Sequence, residues 1–171
     1  MIESINAKRI KELRKLTGAG IMACKRALVN TNNDFQEAIK KLQINGDLIA
    51  KKKSDKSVNE GVIEAYIHTG NRLGILIELN CETDFVSKKL EFKELAKNIA
   101  MQIASCPEVK VISKEDILVD TINVDTKSLI LLEQNYVKDP SITISQLLKK
   151  YIALFGENIK ITRFIRYKLS E

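Results

Sequence analysis

The chain has 171 residues, of which 44% are hydrophobic and 29% are charged, a composition typical of a soluble globular protein with one domain or a very small domain and a medium one. Aromatic residues make up 5% and tryptophan is absent, which disfavours the stacking surfaces that bind single-stranded nucleic acid. No window approaches the 18 uncharged apolar residues of a membrane-spanning helix, and the first residues lack the pattern of a secretory signal, so we expect a cytoplasmic protein without a membrane partner.

The net charge of +6 favours acidic partners through electrostatic steering, although lysine-rich faces that only keep the protein soluble are the preferred explanation of the charge. Cys24, Cys81 and Cys106 are far apart and odd in number, which argues against a disulfide framework and against a zinc site. His68 has no acidic or thiol neighbour in the sequence and is interpreted as structural. We therefore expect no metal, no cofactor and no catalytic set of side chains.

Three short amphipathic helices are predicted in residues 1–45: one over 4–16 capped by Ser4, one from about Ile21 to Val29, and one capped by Asp34. The glycines in the segment 17–20 end the first helix, and the asparagine-rich segment 30–33 is a turn between the second helix and the third. The residues expected to face inward are Ile5, Ile10, Leu13, Leu16, Met22, Ala27, Leu28, Phe35, Ala38, Ile39 and Leu42. So small a bundle is marginally stable alone because it buries little area.

Residues 46–59 contain a basic run at 51–53 and few large apolar side chains, which predicts a linker, helical at most at its start. The basic run could contact phosphates, but a solvated linker is the better explanation of it. The predicted organisation is a three-helix domain over 1–45, a basic linker over 46–59 and an α+β core domain over 60–171.

The core begins with a predicted β-hairpin, whose strands are Gly61–His68 and Leu73–Leu79. A helix over Leu90–Ser105 follows, with Leu95, Ile99 and Ile103 along one side. After a segment without a clear pattern, Ser113 can open a short helix. An apolar run and a turn end at Pro140, a helix follows from about Ile144 until Gly156 stops it, and Ile159–Leu169 closes the chain as a strand.

The junction between the second strand and the helix carries a hydroxyl, a carboxylate and an aromatic ring on Thr83, Asp84 and Phe85. The first two suit a helix start, because their oxygens can accept hydrogen bonds from unpaired backbone N–H groups. The ring of Phe85 either packs underneath as local core or projects as an anchor for a partner, and the residue types alone favour local core, since most aromatic side chains are buried.

Several segments resemble the elongation factor Ts family. The central one is Glu78–Lys88 (Glu-Leu-Asn-Cys-Glu-Thr-Asp-Phe-Val-Ser-Lys), and the second is Leu13–Leu28 around Thr-Gly-Ala-Gly. Three closing segments agree in family order: 131–140, 146–150 and 156–166. The sequence departs from the family at Ala23, where an acidic residue is usual, and at Asn135, where proline is common. The segment between Ile112 and Leu129 is also too short for the helical insert of longer members, which leaves the oligomeric state open.

The resemblance implies a guanine-nucleotide exchange factor for elongation factor Tu, acting by protein binding rather than as an enzyme. It further implies a ubiquitin-associated-type (UBA-like) three-helix bundle, then an α+β core whose small antiparallel sheet is packed by helices. Thr83, Asp84, Phe85 and Val86 would form the loop that displaces magnesium from the partner, while the core grips a second region of it. The residues expected to dock the bundle on the partner's GTPase domain are Leu13, Thr17, Gly18, Ala19, Met22 and Lys25.

Two other classes of protein remain open from the residues themselves. A basic ribosome- or RNA-associated protein without exchange activity would bind through lysines 51–53, although the resemblance implies no direct nucleic-acid contact. A passive adaptor would use the three-helix bundle alone, with Phe85 buried in its own core.

Overall fold

The computed structural model describes residues 6–117 and 126–170. The helices are α1 (Ala7–Thr17), α2 (Ile21–Asn30), α3 (Phe35–Lys53), α4 (Asp84–Ser87), α5 (Leu90–Ser105) and α6 (Ile144–Phe155). The strands are β1 (Glu60–Ile67), β2 (Leu73–Cys81), β3 (Asn135–Tyr136), β4 (Asp139–Thr143) and β5 (Ile159–Lys168). The predicted α+β fold is therefore confirmed. None of the helices in the described ranges is long and apolar enough to cross a membrane.

The first three helices form a bundle around a small core of Leu13, Cys24, Leu28, Ala38 and Leu42. Helix α1 begins later than predicted, because Asn6 caps it by accepting a hydrogen bond from the Lys8 N–H at 3.0 Å. The expected cap Ser4 and the core candidate Ile5 lie outside the described residues. Asp34 caps α3 as predicted, accepting from the Glu37 N–H at 2.9 Å.

Two residues predicted to face the core are on the surface: Leu16 is 59% exposed and Met22 is 64% exposed. Both lie next to the loop between α1 and α2, where the chain leaves the bundle core. Helical spacing predicted them to be inside, but a bundle of three short helices covers only a narrow stripe of each helix. The inward prediction for these two side chains is wrong.

Helix α3 continues through Gly46 to Lys53, so much of the segment predicted as a linker is helical. Residues 149–158 group with the chain up to Lys56 as one compact unit. Within this helical unit the Lys149 Nζ lies 3.0 Å from the Asp47 Oδ1, and the Lys150 Nζ donates to the Leu16 carbonyl at 3.0 Å. The domain boundaries at residues 45 and 59 stay a prediction.

The second unit is built on a three-stranded antiparallel sheet of order β1–β2–β5. Alternation along β2 buries Ile75, Ile77 and Leu79 on one face, and α5 packs against β1 and β2 with Leu95, Ile99 and Ile103 fully buried. The other face is exposed and includes Ile63, Ile67, Leu76, Ile165 and Tyr167. The predicted hairpin, the helix over Leu90–Ser105 and the closing strand are confirmed.

The short hairpin β3–β4 was not predicted, and a buried polar side chain holds it. The amide Nε2 of Gln102, on α5, donates to the Asn135 carbonyl at 3.0 Å, and its Oε1 accepts from the Val137 N–H at 2.7 Å. Strands this short carry too little alternation to be recognised in a sequence. At the end of the same helix, the Arg166 guanidinium donates to the carbonyls of Ile103, Cys106 and Pro107, which caps α5.

Candidate functional site

The strand-to-helix junction is a single helical turn, α4, which follows β2 after a two-residue gap. The Thr83 carbonyl accepts from the N–H groups of Val86 and Ser87 at 3.2 and 3.3 Å, and from the Cys81 Sγ at 3.2 Å. Val86 is 3% exposed and Ser87 is 6% exposed, so these two side chains anchor the turn in the core. A buried inner side therefore fixes the direction in which the remaining side chains of the turn point.

Phe85 projects away from this anchored side and is 79% exposed. The alternative in which its ring packs as local core is therefore wrong. An exposed phenylalanine on an anchored turn is unusual, because burial of a large apolar side chain is favourable and an exposed ring does not gain that free energy. The ring of Phe85 is therefore an accessible apolar group on an anchored turn.

Asp84 carries the negative charge beside this ring. Its carboxylate does not serve as the helix cap; Thr83 takes the N-cap position without a side-chain capping bond. Instead the Asp84 Oδ2 accepts from the Lys88 Nζ at 2.5 Å. This hydrogen bond, together with the lysine charge and the Phe85 N–H, lowers the pKa of Asp84 below its ordinary value. The carboxyl is thus fully ionised at neutral pH, half-exposed and fixed next to Phe85.

Of the four residues assigned to this loop from the sequence, the structure brings Thr83, Asp84 and Phe85 to its accessible side and places Val86 underneath. Sequence reasoning missed Lys88, which is exposed and paired with Asp84. Its spacing of four residues from Asp84 on a helical turn is a signal that could have identified it.

The end of α1 and the loop that follows it hold three of the predicted docking residues, Thr17, Gly18 and Ala19. Gly18 ends α1 with φ of +72°, a left-handed conformation that favours glycine, and its N–H donates to the Arg14 carbonyl at 2.8 Å. The Thr17 Oγ1 accepts from the Ala19 N–H at 3.3 Å, and the Ala19 carbonyl accepts from the buried Cys24 Sγ at 3.5 Å. Burial raises the pKa of the Cys24 thiol, which keeps it protonated. The loop is thus tied to the bundle at both ends.

The other predicted docking residues differ in accessibility. Met22 and Lys25 are exposed on α2, whereas Leu13 is fully buried in the bundle core, so its side chain offers no surface to a partner. Leu16 and Ile21, which sequence reasoning did not select for docking, are 59% and 53% exposed. Together with Met22 they form an apolar rim around the loop.

Asp116, the second residue of the acidic pair Glu115–Asp116, caps a short 3-10 helix, Lys114–Asp116, which Ser113 opens as predicted. The Asp116 Oδ2 accepts from the Ser113 N–H at 2.8 Å and from the Ser113 Oγ at 2.9 Å. In the part of the chain that the structure describes, no cluster of histidine, cysteine and acidic side chains could hold a metal ion.

Comparison with known proteins agrees with these features. The family model described as Elongation factor TS matches residues 3–128 and 110–171. The chain is 42% identical to "Elongation factor Ts, chloroplastic" of Phaeodactylum tricornutum, over 100% of this chain and 99% of the relative. It is 44% identical to the protein of the same name from Rhodomonas salina, over 100% of this chain and 91% of the relative. Identity to "Elongation factor Ts" of Rippkaea orientalis is 43%, over 98% of this chain and 79% of the relative.

The matched segments include both the exposed turn around Phe85 and the loop around Gly18, and they extend over nearly all of the chain. From these matches, the chain belongs to the elongation factor Ts family and acts in the elongation step of protein biosynthesis.

Proposed function

We propose that this protein binds elongation factor Tu in its GDP-bound form and promotes release of GDP and its exchange for GTP. The observation that carries the proposal is Phe85, 79% exposed beside an ionised carboxylate on a turn anchored by Val86 and Ser87. The protein accelerates no covalent step; it acts by stabilising the nucleotide-free state of its partner.

Linkage sets the physical requirement. A protein that binds the nucleotide-free partner more tightly than the GDP-bound partner weakens GDP binding by the same factor. Each tenfold change takes about 1.4 kcal/mol of differential binding. Magnesium in a GTPase site demands near-octahedral ligation by oxygens, so a small displacement of its surroundings weakens nucleotide binding. The Phe85 ring entering the partner and the adjacent Asp84 carboxylate would supply that displacement.

The three-helix bundle would dock on the GTPase domain through Thr17, Gly18, Ala19, Met22 and Lys25. We leave Leu13 out of this contact surface because it is buried, and its part is to support the loop from below. Leu16 and Ile21 join the surface because their apolar side chains are exposed next to the loop.

Charge supports docking through this unit. The chain up to Lys56 with residues 149–158 carries 15 basic and seven acidic residues, a net charge of +8, whereas the remaining residues sum to −2. A concentrated positive charge accelerates encounter with an acidic surface and makes the association rate dependent on ionic strength. The sheet-bearing core, which carries the Phe85 turn, would then contact a second region of the partner.

The experiment is release of a fluorescent GDP analogue from elongation factor Tu, with this protein present at a small fraction of the GTPase concentration. We expect every GTPase molecule to lose its nucleotide many times faster than in the absence of the protein, because one molecule can serve many partners. A passive adaptor would leave the rate unchanged. An RNA-associated protein would also leave it unchanged and would instead bind RNA with a steep salt dependence that requires lysines 51–53.

This protein would act in the cellular compartment that contains its elongation factor Tu. The expected cytoplasmic location stays a prediction, since two of the three relatives compared above are named as chloroplastic proteins.

A further inference from the structure

We propose that Lys88 is a positioning residue for nucleotide exchange: it fixes the Asp84 carboxylate beside the Phe85 ring before the partner arrives. The inference rests on the proposed exchange function and assigns to that site a residue that acts through Asp84.

The accessible side of the turn includes the side chains of Asp84, Phe85 and Lys88, next to Thr83. The Asp84 and Lys88 side chains are 47% and 75% exposed, and their charged atoms lie 2.5 Å apart. The pair bridges one helical turn, with the acid on the N-terminal side, which is the favourable order for an ion pair at this spacing.

Four residues cannot hold a helix by themselves, and the buried side chains of Val86 and Ser87 hold the backbone of this turn. The backbone at Asp84 is fixed, since its carbonyl accepts from the Lys88 N–H at 3.1 Å and from the Ser87 Oγ at 3.2 Å. These bonds fix the backbone but not the carboxylate, on which the Lys88 ammonium acts most strongly and the Phe85 N–H more weakly. The Lys88 ammonium restricts rotation of the carboxylate and thereby places the negative charge at a constant position relative to the ring.

The surroundings of Lys88 are consistent with this role. The pKa of Lys88 is raised mainly by the hydrogen bond and the negative charge of Asp84, and the charge of Glu60 raises it slightly further. The ammonium therefore stays charged throughout the neutral range, and the pair is present in the free protein. Because a fixed group approaches its target with less loss of conformational freedom, pre-organisation of this kind increases the rate of the step in which it takes part.

The test compares GDP release from elongation factor Tu with the wild type, Lys88→Ala, Lys88→Arg and Lys88→Glu. We expect Lys88→Ala to lower the maximal release rate about two- to threefold, the size of effect that an exposed ion pair supports. Lys88→Arg keeps the pair and should restore the rate. Lys88→Glu replaces attraction by repulsion and should lower the rate about four- to fivefold. The matched control is Lys97→Ala, which removes an exposed lysine of α5 and should leave the rate unchanged.

Two readouts distinguish positioning from a direct contact of Lys88 with the partner. The concentration of protein that gives half-maximal release should stay the same in Lys88→Ala, because the docking surface is intact. In the Asp84→Asn background, Lys88→Ala should cause no further loss, since the two residues act as one unit.

A maximal rate in Lys88→Ala equal to that of the wild type would overturn the inference, and so would losses that are additive with Asp84→Asn. Either result leaves the proposed exchange function standing as long as the wild type accelerates release. If the wild type itself fails to accelerate release, the proposed function fails first and the role of Lys88 fails with it.

Discussion

Replacing Phe85 by alanine should separate the stability of this protein from its activity. The ring is 79% exposed, so most of the about 1.5–3 kcal/mol that burial of a phenylalanine provides is absent from the free protein. The exposed share, about 1.2–2.4 kcal/mol, becomes available only when a partner covers the ring. Phe85→Ala should therefore reduce the efficiency of GDP release about 8- to 60-fold.

The free energy of unfolding of the same variant should change by less than about 0.6 kcal/mol, the share of burial that the ring already has. Urea denaturation of the variant measures this, and release of fluorescent GDP from elongation factor Tu measures the activity. Phe92→Ala is the opposite control, because Phe92 is fully buried and its truncation should destabilise the fold by about 3–5 kcal/mol.

Leu90→Ala is a matched control for Phe85→Ala, since Leu90 is 68% exposed at the start of α5 and lies beyond the turn. Its truncation should have a smaller effect on release than that of Phe85. The reasoning would be refuted if Phe85→Ala lowered the free energy of unfolding by several kcal/mol. It would also be refuted if the variant promoted GDP release from elongation factor Tu as efficiently as the wild type.

Three further predictions concern other parts of the chain. Gly61→Ala should destabilise the sheet by about 1–3 kcal/mol in urea denaturation, since its Cβ would lie 2.3 Å from the Leu79 carbonyl oxygen. NMR titration should place the pKa of Asp84 below its ordinary value of 3.8, and Lys88→Ala should return it towards that value. Because the pKa is lowered in the folded state, the ionised carboxylate stabilises the fold at pH values above 3.8. This stabilisation is lost as the pH falls through the folded-state pKa. Met22→Glu should raise the concentration needed for half-maximal GDP release about tenfold and leave the maximal rate unchanged, because it alters docking but not the Phe85 turn.

Periodicity predicted the longer elements, because burial on one face imposes a pattern on the sequence. The apolar residues of α5 recur at helical spacing, and the alternation in β2 identified its buried face, so both elements and their core residues agree with the structure. The caps at Asp34 and Ser113 were also found, since a short polar side chain before an apolar run has few other roles.

The misses share a different physical cause: they depend on what lies next to a residue in space. Leu16 and Met22 continue a helical pattern but extend beyond the stripe that so small a bundle covers. The β3–β4 hairpin depends on the buried Gln102 amide, whose two partners lie more than 30 residues away in the chain. No local pattern encodes either arrangement.

In the candidate site, the sequence identified the polar and aromatic residues but not their directions. Residue types favoured a buried Phe85, whereas the ring is exposed because Val86 and Ser87 fill the space under the turn. The ion pair of Asp84 with Lys88 was missed, although the spacing of four residues between them is a signal for it.

The most direct test of the account is a measurement of reciprocal coupling. The dissociation constant of this protein is determined for nucleotide-free and for GDP-bound elongation factor Tu, and that of GDP is determined with and without the protein. The account predicts a large ratio, the same in both directions, that shrinks in Phe85→Ala. Equal affinity of the wild type for the two forms of the GTPase would contradict it, since a protein without differential binding cannot promote release of the nucleotide.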